Sequence, residues 1–226
     1  MHFGIQKIIS NHIDIEKRIQ KACNQASRDR KDVELIAVSK RQELERVQTS
    51  LNNGLRVYGE NQVQEALSRW LPIKPLYADL KLHLVGSLQS NKAADAVRLF
   101  DVIHTIDREK IAKTISSEMK KQNKRLECFI QINTGYEEQK SGIDPSQALA
   151  FADMCSHDYD IPILGFMCIP PVDEDASPHF GYLKKLASAA GLKCLSMGMS
   201  SDFEDAIRLG ATHIRIGSAI FGERTR

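Results

Sequence analysis

Lys40 is the residue whose type and position most directly indicate chemistry. It ends the run Glu34-Leu-Ile-Ala-Val-Ser-Lys40, an apolar segment typical of a buried strand, and so places one amine where the chain is expected to turn. Desolvation at such a point lowers the pKa of a lysine amine and makes it a nucleophile toward carbonyl carbons, as in Schiff-base lysines. The alternative is that Lys40 opens a loop and extends its ammonium group into solvent.

Residues near the far end of the chain are typical of an anion-binding site. Met197-Gly-Met-Ser200 and Gly217-Ser-Ala-Ile-Phe-Gly222 each follow an apolar, strand-like run. Glycines allow backbone N–H groups to approach an anion closely, Ser200 and Ser218 add hydroxyl donors, and the N-terminus of a following helix favours negative charge. The alternative for Ser200, and for Ser201, is that the side chain caps the next helix.

Three further side chains could contact a ligand in the same region. Arg215 lies within Thr212-His-Ile-Arg-Ile-Gly217, where strand alternation places it on the opposite face from its isoleucine neighbours. An outward side chain would reach solvent, whereas an inward guanidinium would need an acceptor. A ligand ring nitrogen could be that acceptor, and it would stay unprotonated because arginine does not release its proton. His83 and Asn61 could each hydrogen-bond a ligand, although Asn61 is explained equally well as a helix cap.

The elements that must position these residues are short apolar runs that alternate with helical patterns. Their long crossovers imply parallel pairing, and eight such units favour an α/β fold of the closed (β/α)8 TIM-barrel type. An open doubly wound sheet would usually show a Gly-rich phosphate fingerprint after its first strand, and Ser39-Lys-Arg-Gln42 contains none. We predict one domain over residues 1–226 with an extra N-terminal helix over 5–28. The strands are expected at 34–39, 56–58, 81–85, 101–104, 127–132, 162–165, 193–196 and 212–216.

Several element boundaries carry recognisable signals. The helices between the strands are expected at 42–53, 61–70, 91–98, 108–121, 146–156, 175–190 and 202–209. Two residue pairs have the spacing of capping boxes: Asn61 with Gln64, and Ser201 with Glu204. Three glycines follow helical runs, where a left-handed residue is favoured: Gly54, Gly191 and Gly210. Pro145 suits a first helical turn.

Composition excludes several classes of protein. The chain is 42% hydrophobic and 27% charged with a net charge of +2, which is ordinary for a globular protein and does not indicate a nucleic-acid binder. Its five cysteines form no Cys-x-x-Cys pair and its seven histidines lack metal spacing, so neither a disulfide framework nor a zinc site is indicated. No apolar stretch is long enough to span a bilayer, and the N-terminus does not resemble a signal peptide. These features predict a cytoplasmic protein.

An amine after the first strand and an anion site after the last two would face each other across the barrel mouth, because the working residues of this fold lie at the carboxyl ends of its strands. The ligand that needs both an aldehyde for a lysine and a phosphate for the anion site is pyridoxal 5′-phosphate. An aldolase that uses Lys40 directly on a phosphorylated sugar would share both features, but it would be colourless as purified.

Motifs spread along the chain resemble those of one known family. They are Ala37-Val-Ser-Lys40, Tyr58-Gly-Glu-Asn61 with Gln64-Glu65, His83-Leu-Val-Gly-Ser-Leu-Gln-Ser-Asn-Lys92, the group Asn133, Glu137, Lys140 and Gly142, Gly165-Phe-Met-Cys-Ile-Pro170, Leu195-Ser-Met-Gly-Met-Ser200 with Asp202, and Arg215-Ile-Gly-Ser-Ala-Ile-Phe-Gly222 with Arg224. In this order, over residues 34–224, the chain resembles the pyridoxal phosphate homeostasis protein family, of the YggS/PROSC type. Leu82 and Ser218 depart from it, since the family often has an aromatic residue and usually a threonine there.

The resemblance implies a fold-type III barrel similar to the N-terminal domain of alanine racemase, with pyridoxal phosphate held as an internal aldimine on Lys40. It also implies phosphate binding by Ser200, Gly217 and Ser218, with Arg215 near the pyridine nitrogen. Members of the family are understood as cytoplasmic carriers or regulators of the vitamin B6 cofactor pool without established catalysis. We therefore expect a cofactor-binding protein and not an enzyme.

A fold-type III enzyme such as an amino-acid racemase is the alternative. It needs a second acid–base group opposite the lysine, which alanine racemase takes from a tyrosine of a C-terminal β-domain. The chain ends at Arg226, and Tyr58 and Tyr136, the tyrosines expected near the mouth, have no clear role. A metal-dependent lyase is disfavoured because no His-x-Cys pair occurs. We expect a monomer that contacts pyridoxal phosphate-dependent apo-enzymes transiently, with no nucleic-acid or membrane partner.

Overall fold

The computed structural model describes residues 2–137 and 139–222, with side chains from residue 6 onward. Within these residues the chain forms eight parallel strands that pair in sequence order, and the first strand also pairs with the last. The predicted closed TIM barrel is therefore confirmed, and each strand lies within about two residues of its predicted place. The strands are β1 Glu34–Val38, β2 Val57–Glu60, β3 Lys81–Leu84, β4 Val102–Ile106, β5 Glu127–Gln131, β6 Ile163–Met167, β7 Cys194–Ser196 and β8 His213–Ile216.

The helices also follow the predicted order. They are α1 His2–Gln25, α2 Leu44–Asn52, α3 Val63–Trp70, α4 Ala93–Leu99, α5 Glu109–Lys121, α6 Ala148–His157, α7 Ala176–Ala189, α8 Phe203–Arg208 and α9 Ser218–Phe221. The sequence pattern did not predict α9, because a helix of 4 residues is too short to show a periodic apolar pattern. None of the helices in the described part of the chain is long and apolar enough to cross a bilayer.

The predicted N-terminal helix packs beside the end of the chain. Contacts from α1 reach α2, α8 and α9, and its buried face includes Ile8, Ile15 and Ile19. The Asn11 amide donates a 3.0 Å hydrogen bond to the carbonyl oxygen of Ile220 in α9. Because α8 and α9 follow β7 and β8, α1 supports the two loops in which the sequence predicts an anion site.

The core has two layers separated by the barrel wall. The outer layer packs strands against helices and includes Tyr58, whose ring centroid lies 4.7 Å from that of Trp70 and whose hydroxyl lies 2.7 Å from Ser50 Oγ. The expectation that Tyr58 lies at the barrel mouth is therefore wrong, because alternation along β2 turns its side chain outward under the helices. Two smaller apolar clusters fill the inside: Ile36, Val38 and Val85, and Val102, Phe129 and Met167.

The glycine and proline signals at the helix boundaries predicted the local structure correctly. Gly54, Gly191 and Gly210 have φ of 90°, 69° and 108°, so the predicted left-handed ends are confirmed. Pro145 opens a short 3₁₀ turn just before α6, as expected.

Both predicted capping boxes are wrong. Gln62 and Asp202 occupy the N-cap positions of α3 and α8, and neither helix receives a side-chain cap. Asp202 Oδ1 instead accepts a 2.6 Å hydrogen bond from the backbone N–H of Met199, which lies in the loop before the helix. The capping signal depends on sequence spacing alone, whereas the loop geometry decides which donor the side chain meets.

Candidate functional site

Lys40 follows β1 directly and lies in a tightly held turn. Ser39 is fully buried and its hydroxyl donates a 2.7 Å hydrogen bond to Glu60 Oε1. Arg41 has φ of 56°, and its backbone N–H donates to Glu65 Oε1 at 2.6 Å. Lys40 is thus fixed on both sides by contacts to the segment that begins with β2, and its side chain is half-buried.

A buried ion pair underlies this turn. Glu60 is 0% exposed, and its Oε1 accepts hydrogen bonds from Arg69 Nη1 at 2.5 Å and Trp70 Nε1 at 2.8 Å. The Arg69 guanidinium also donates to the carbonyl oxygens of Ser39 and Gln42 at 3.0 and 2.8 Å. Burial raises the pKa of Glu60, while the donors gathered on its oxygen favour the charged form. The pair therefore clamps the backbone on either side of Lys40.

Sequence reasoning missed this clamp. The available signal was the carboxylate of Glu60 inside the otherwise apolar strand Val57–Glu60, where an acidic residue needs a partner. Its partner Arg69 lies in α3, and sequence spacing alone did not identify it.

One cavity of about 320 Å³ opens at the carboxyl ends of the strands, and most of the predicted site residues line it. Of the predicted set, the structure places these on its lining: Lys40, Asn61, Ser200, Arg215, Gly217 and Ser218. The apolar residues of the lining were not predicted as ligand contacts: Val38, Val85, Ile169 and Met199. The lining thus combines a polar rim with an apolar wall, a combination suited to a planar ring that carries an anionic group.

The predicted anion site consists of two adjacent hydroxyls. Ser218 Oγ donates to Ser200 Oγ at 3.4 Å, which brings the loops after β7 and β8 together. The helices that follow have only 6 and 4 residues, so hydroxyls and backbone N–H groups, and not a helix dipole, must supply most of the attraction for an anion. Gly217 lies on the lining, and a Cβ there would meet only Val38, at 3.4 Å or more. Its missing side chain therefore leaves the cavity open.

Gly198 has a packing role that its sequence position did not indicate. Its φ is +94°, and a Cβ there would lie 2.6 Å from Ala206 Cβ in α8. The residue is needed for the turn and for packing against the helix, and the approach of its N–H group to an anion stays a prediction.

Arg215 points into the barrel, which decides between the two orientations that the sequence left open. Its side chain is 5% exposed and lines the cavity. Nη1 donates to Ser196 Oγ at 2.7 Å and Nη2 to the carbonyl oxygen of Cys168 at 2.9 Å. These partners are neutral, and burial lowers the pKa of the guanidinium. A guanidinium has five N–H donors, so donors remain for a ligand in the cavity.

His83 lies away from the cavity lining. It is 0% exposed in the barrel interior, and its Nδ1 lies 2.9 Å from Nε2 of His104. Burial holds the pKa of both imidazoles well below the usual value for histidine. Direct contact between His83 and a ligand stays a prediction, and the geometry gives His83 a different set of neighbours.

The charge of the cavity favours an anion. Lys40 and Arg215 are on its lining, and none of the described residues on that lining carries a carboxylate. A cation in a partly desolvated site attracts negative charge more strongly than it does in water. The part of the chain that the structure describes also holds no cluster of three or more histidine, cysteine or acidic residues able to bind a metal ion.

Comparison with known proteins identifies the family. The model of the family described as alanine racemase, N-terminal domain, matches residues 13–225. The pyridoxal phosphate homeostasis protein of Aquifex aeolicus is 39% identical over 217 residues, which are 92% of this chain and 94% of that protein. The chain belongs to the pyridoxal phosphate homeostasis protein family. The protein of that name from Escherichia coli K12 is 34% identical over 226 residues, 96% of this chain and 97% of that protein.

Solved structures agree with the family assignment. PipY of Synechococcus elongatus PCC7942, solved with pyridoxal phosphate bound, is 32% identical with a TM-score of 0.77 and covers 91% of this chain and 100% of its own. Alanine racemase of Clostridium difficile 630 has a TM-score of 0.72 at 13% identity, covering 98% of this chain and 58% of its own, so that likeness shows the fold alone. The family resemblance is thus confirmed. Arg224, the last residue of its motifs, lies outside the described residues.

Proposed function

We propose that this chain binds pyridoxal 5′-phosphate covalently through Lys40 and serves in the homeostasis of that cofactor. The observation that carries the proposal is the convergence of an amine, a guanidinium and three serine hydroxyls on one cavity whose described lining residues include no carboxylate. The names of the relatives and the ligand of PipY support the choice of cofactor. When bound, pyridoxal phosphate supplies an aldehyde, with which a lysine amine condenses with loss of one water.

The residues divide into three roles in this proposal. Lys40 is the nucleophile, and the clamp beneath its turn fixes the backbone from which its side chain extends. Ser200, Ser218 and the backbone at Gly217 bind the phosphate by hydrogen bonds to a charged group. Arg215 donates to the pyridine nitrogen and keeps it unprotonated, because a guanidinium does not release a proton at ordinary pH.

The role proposed for Asn61 is less specific than the roles of Lys40, Arg215 and the serines. The α3 helix receives no side-chain cap, so the explanation of Asn61 as a capping residue no longer competes with its place on the lining. A Cβ at Gly86 would lie 2.2 Å from the carbonyl oxygen of Asn61, so the backbones of the loops after β2 and β3 are in close contact there. This contact fixes the backbone of Asn61 at the cavity, and its place on the lining supports a role as a neutral hydrogen-bonding group beside the ring.

A carrier is favoured over a racemase. A racemase needs a second acid–base group opposite the lysine, and none of the described lining residues is a tyrosine, histidine, cysteine or acid. Tyr136 is 61% exposed and bonds to the hydroxyl of Tyr182 at 3.3 Å, away from the cavity lining. The relatives are named as homeostasis proteins and not as enzymes. We propose a single-domain, monomeric cytoplasmic carrier that releases its cofactor to apo-enzymes.

Borohydride reduction tests the proposal. Purified protein incubated with pyridoxal phosphate is expected to turn yellow, and after reduction the added mass should map to the peptide that contains Lys40. Lys40→Ala should lose this adduct and keep the fold, as judged by circular dichroism. Lys140→Ala is the matched control, because Lys140 is paired with Glu137 at 2.5 Å and lies off this cavity.

Two results would overturn the assignment. An adduct on a different lysine in both wild type and Lys40→Ala would exclude Lys40 as the attachment point. A protein that stays colourless and unmodified would favour the aldolase alternative, which a search for activity on phosphorylated sugars would then test.

A further inference from the structure

A line of hydrogen bonds runs through the barrel from the cavity toward the amino ends of the strands. Arg215 Nη1 donates to Ser196 Oγ at 2.7 Å, and that oxygen lies 2.8 Å from Nδ1 of His104. His104 Nε2 lies 2.9 Å from His83 Nδ1, where the line ends: His83 Nε2 lies 3.5 Å from Glu34 Oε1 and has no hydrogen-bond partner among the described residues. The first four residues are at most 5% exposed, so these contacts are shielded from bulk solvent.

The chemistry of arginine gives this line one direction. A guanidinium only donates, so the hydroxyl of Ser196 accepts from it and has its own proton left for His104 Nδ1. His104 then carries its proton on Nε2 and donates it to His83 Nδ1. His83 in turn carries its proton on Nε2, facing Glu34. If His104 instead carried its proton on Nδ1, the Ser196 proton would have no acceptor among the described hydrogen bonds.

The surroundings keep the two histidines neutral. His104 stacks on Phe129 with a centroid distance of 4.5 Å. Four charged or titratable groups face them: the buried Arg215 and the half-buried His213 of β8, the exposed Lys81 of β3, and the half-buried Glu34 of β1. Burial lowers the pKa of both imidazoles, with the cationic neighbours acting in the same direction. Neutral histidines can accept on one nitrogen and donate on the other, as the line requires.

We infer that Ser196 and the two histidines behind it position the Arg215 guanidinium toward the cavity without neutralising its charge. The inference rests on the proposed function, in which Arg215 meets the ring nitrogen of the cofactor. A carboxylate partner would also hold an arginine, but it would cancel much of the field in the cavity. A hydroxyl fixed by a neutral imidazole orients the guanidinium and leaves its positive charge available to the ligand.

The protein without cofactor offers a direct test of the line. In ¹⁵N-histidine-labelled protein at pH 7, long-range ¹H–¹⁵N correlation spectra are expected to show His104 and His83 as neutral Nε2–H tautomers. Ser196→Ala removes the donor to His104 Nδ1, so the tautomer of His104 should become mixed. An Nδ1–H tautomer of His104 in the wild type would overturn the inference without any variant being made.

The positioning role is tested with a matched pair of buried serines. Ser196→Ala should raise the dissociation constant for pyridoxal phosphate by about tenfold or more, the effect of misplacing one hydrogen bond to a charged group. Ser50→Ala loses an equally buried hydroxyl, bonded to Tyr58, and should bind the cofactor like wild type. The two variants are compared after their melting temperatures have been measured.

The outcomes separate this inference from the proposed function. Equal weakening in both serine variants would show that a general loss of packing is the cause and would overturn the positioning role. Unchanged cofactor binding in Ser196→Ala would also overturn the positioning role. In either case a reduced adduct at Lys40 in wild type would leave the proposed function intact, whereas its absence would remove the basis of both.

Discussion

The polar groups at the two ends of the barrel interior differ in what they face. At the carboxyl ends of the strands, Lys40 and Arg215 line a cavity together with Ser200 and Ser218. Toward the amino ends, His83 and His104 bond to one another, and His104 also bonds to Ser196. The same parallel strands supply both sets of residues, so the difference arises from which neighbours each strand position meets.

This difference indicates which end binds and which end stabilises. Buried polar groups that are satisfied by the protein add to a specific packing, whereas donors left facing a cavity favour an external acceptor. Arg215 lies at the boundary, because its neutral protein partners hold it while it lines the cavity. We call the buried histidines toward the amino ends the closed end, and the cavity residues at the carboxyl ends the open end. Substitutions of the closed-end histidines should therefore alter stability first, and substitutions at the open end should alter cofactor retention first.

Acid should destabilise the closed end, and this is the largest effect expected. Burial lowers the pKa of His213 from 6.5 to about 4, and that of His83 and His104 well below 6.5. The unfolded chain therefore binds more protons below pH 6.5, so stability falls as pH falls from 6.5 toward 4. The slope is about 1.4 kcal/mol per pH unit for each histidine. Urea unfolding at pH 7, 6 and 5 measures it.

Other groups modify this slope. Burial raises the pKa of Glu34 and Glu60, and their proton uptake in the folded state partly opposes the loss. His213→Asn should reduce the slope, while His157→Asn, at an exposed position on α6, should leave it unchanged. A free energy of unfolding that stays constant between pH 6.5 and 5 would mean that the closed end is not a cluster of neutral histidines.

Removing the paired hydroxyls should affect the open end alone. The double variant Ser200→Ala, Ser218→Ala is expected to lose roughly 1.5–3 kcal/mol of cofactor binding per lost hydrogen bond to the phosphate. Its free energy of unfolding without cofactor should change little, because both hydroxyls are near the surface and bond mainly to each other. Retention after dialysis measures the effect, and full retention would argue against these serines as the phosphate site.

Substitutions of two glycines beside the same site should have different effects on folding stability and on cofactor binding. Gly198→Ala introduces a side chain at φ +94° and 2.6 Å from Ala206 Cβ, and should cost about 1–3 kcal/mol of folding stability. Gly217→Ala places a Cβ in ordinary contact with Val38, at 3.4 Å or more, and should change stability by about 0.5 kcal/mol or less, while it weakens retention by roughly tenfold. Similar effects on melting temperature from both variants would contradict this division.

The order of elements was readable from the sequence because strand and helix periodicities are local. The predicted strand that ends before Lys40 is present as Glu34–Val38, and the left-handed glycines end their helices as expected. The family motifs also placed the candidate anion site in the last two loops. Capping boxes failed because a spacing of three residues does not decide which donor a side chain meets in the folded loop.

Other features required the closed barrel. Whether Arg215 faces inward, whether Glu60 finds Arg69, and whether His83 bonds to a ligand or to His104 depend on positions brought together from distant parts of the chain. Alternation along a strand gives two faces but does not say which one is inside.

The sequence by itself determined the alternating elements, the lysine at the end of the first strand and the family. The tertiary structure alone decided that Lys40, Arg215 and the two serines line one cavity, and that the histidines lie behind them as a bonded line. The physical reason is that hydrophobic periodicity acts over a few residues, whereas the partner of a buried polar group is whichever side chain the packing of other strands brings within hydrogen-bonding distance.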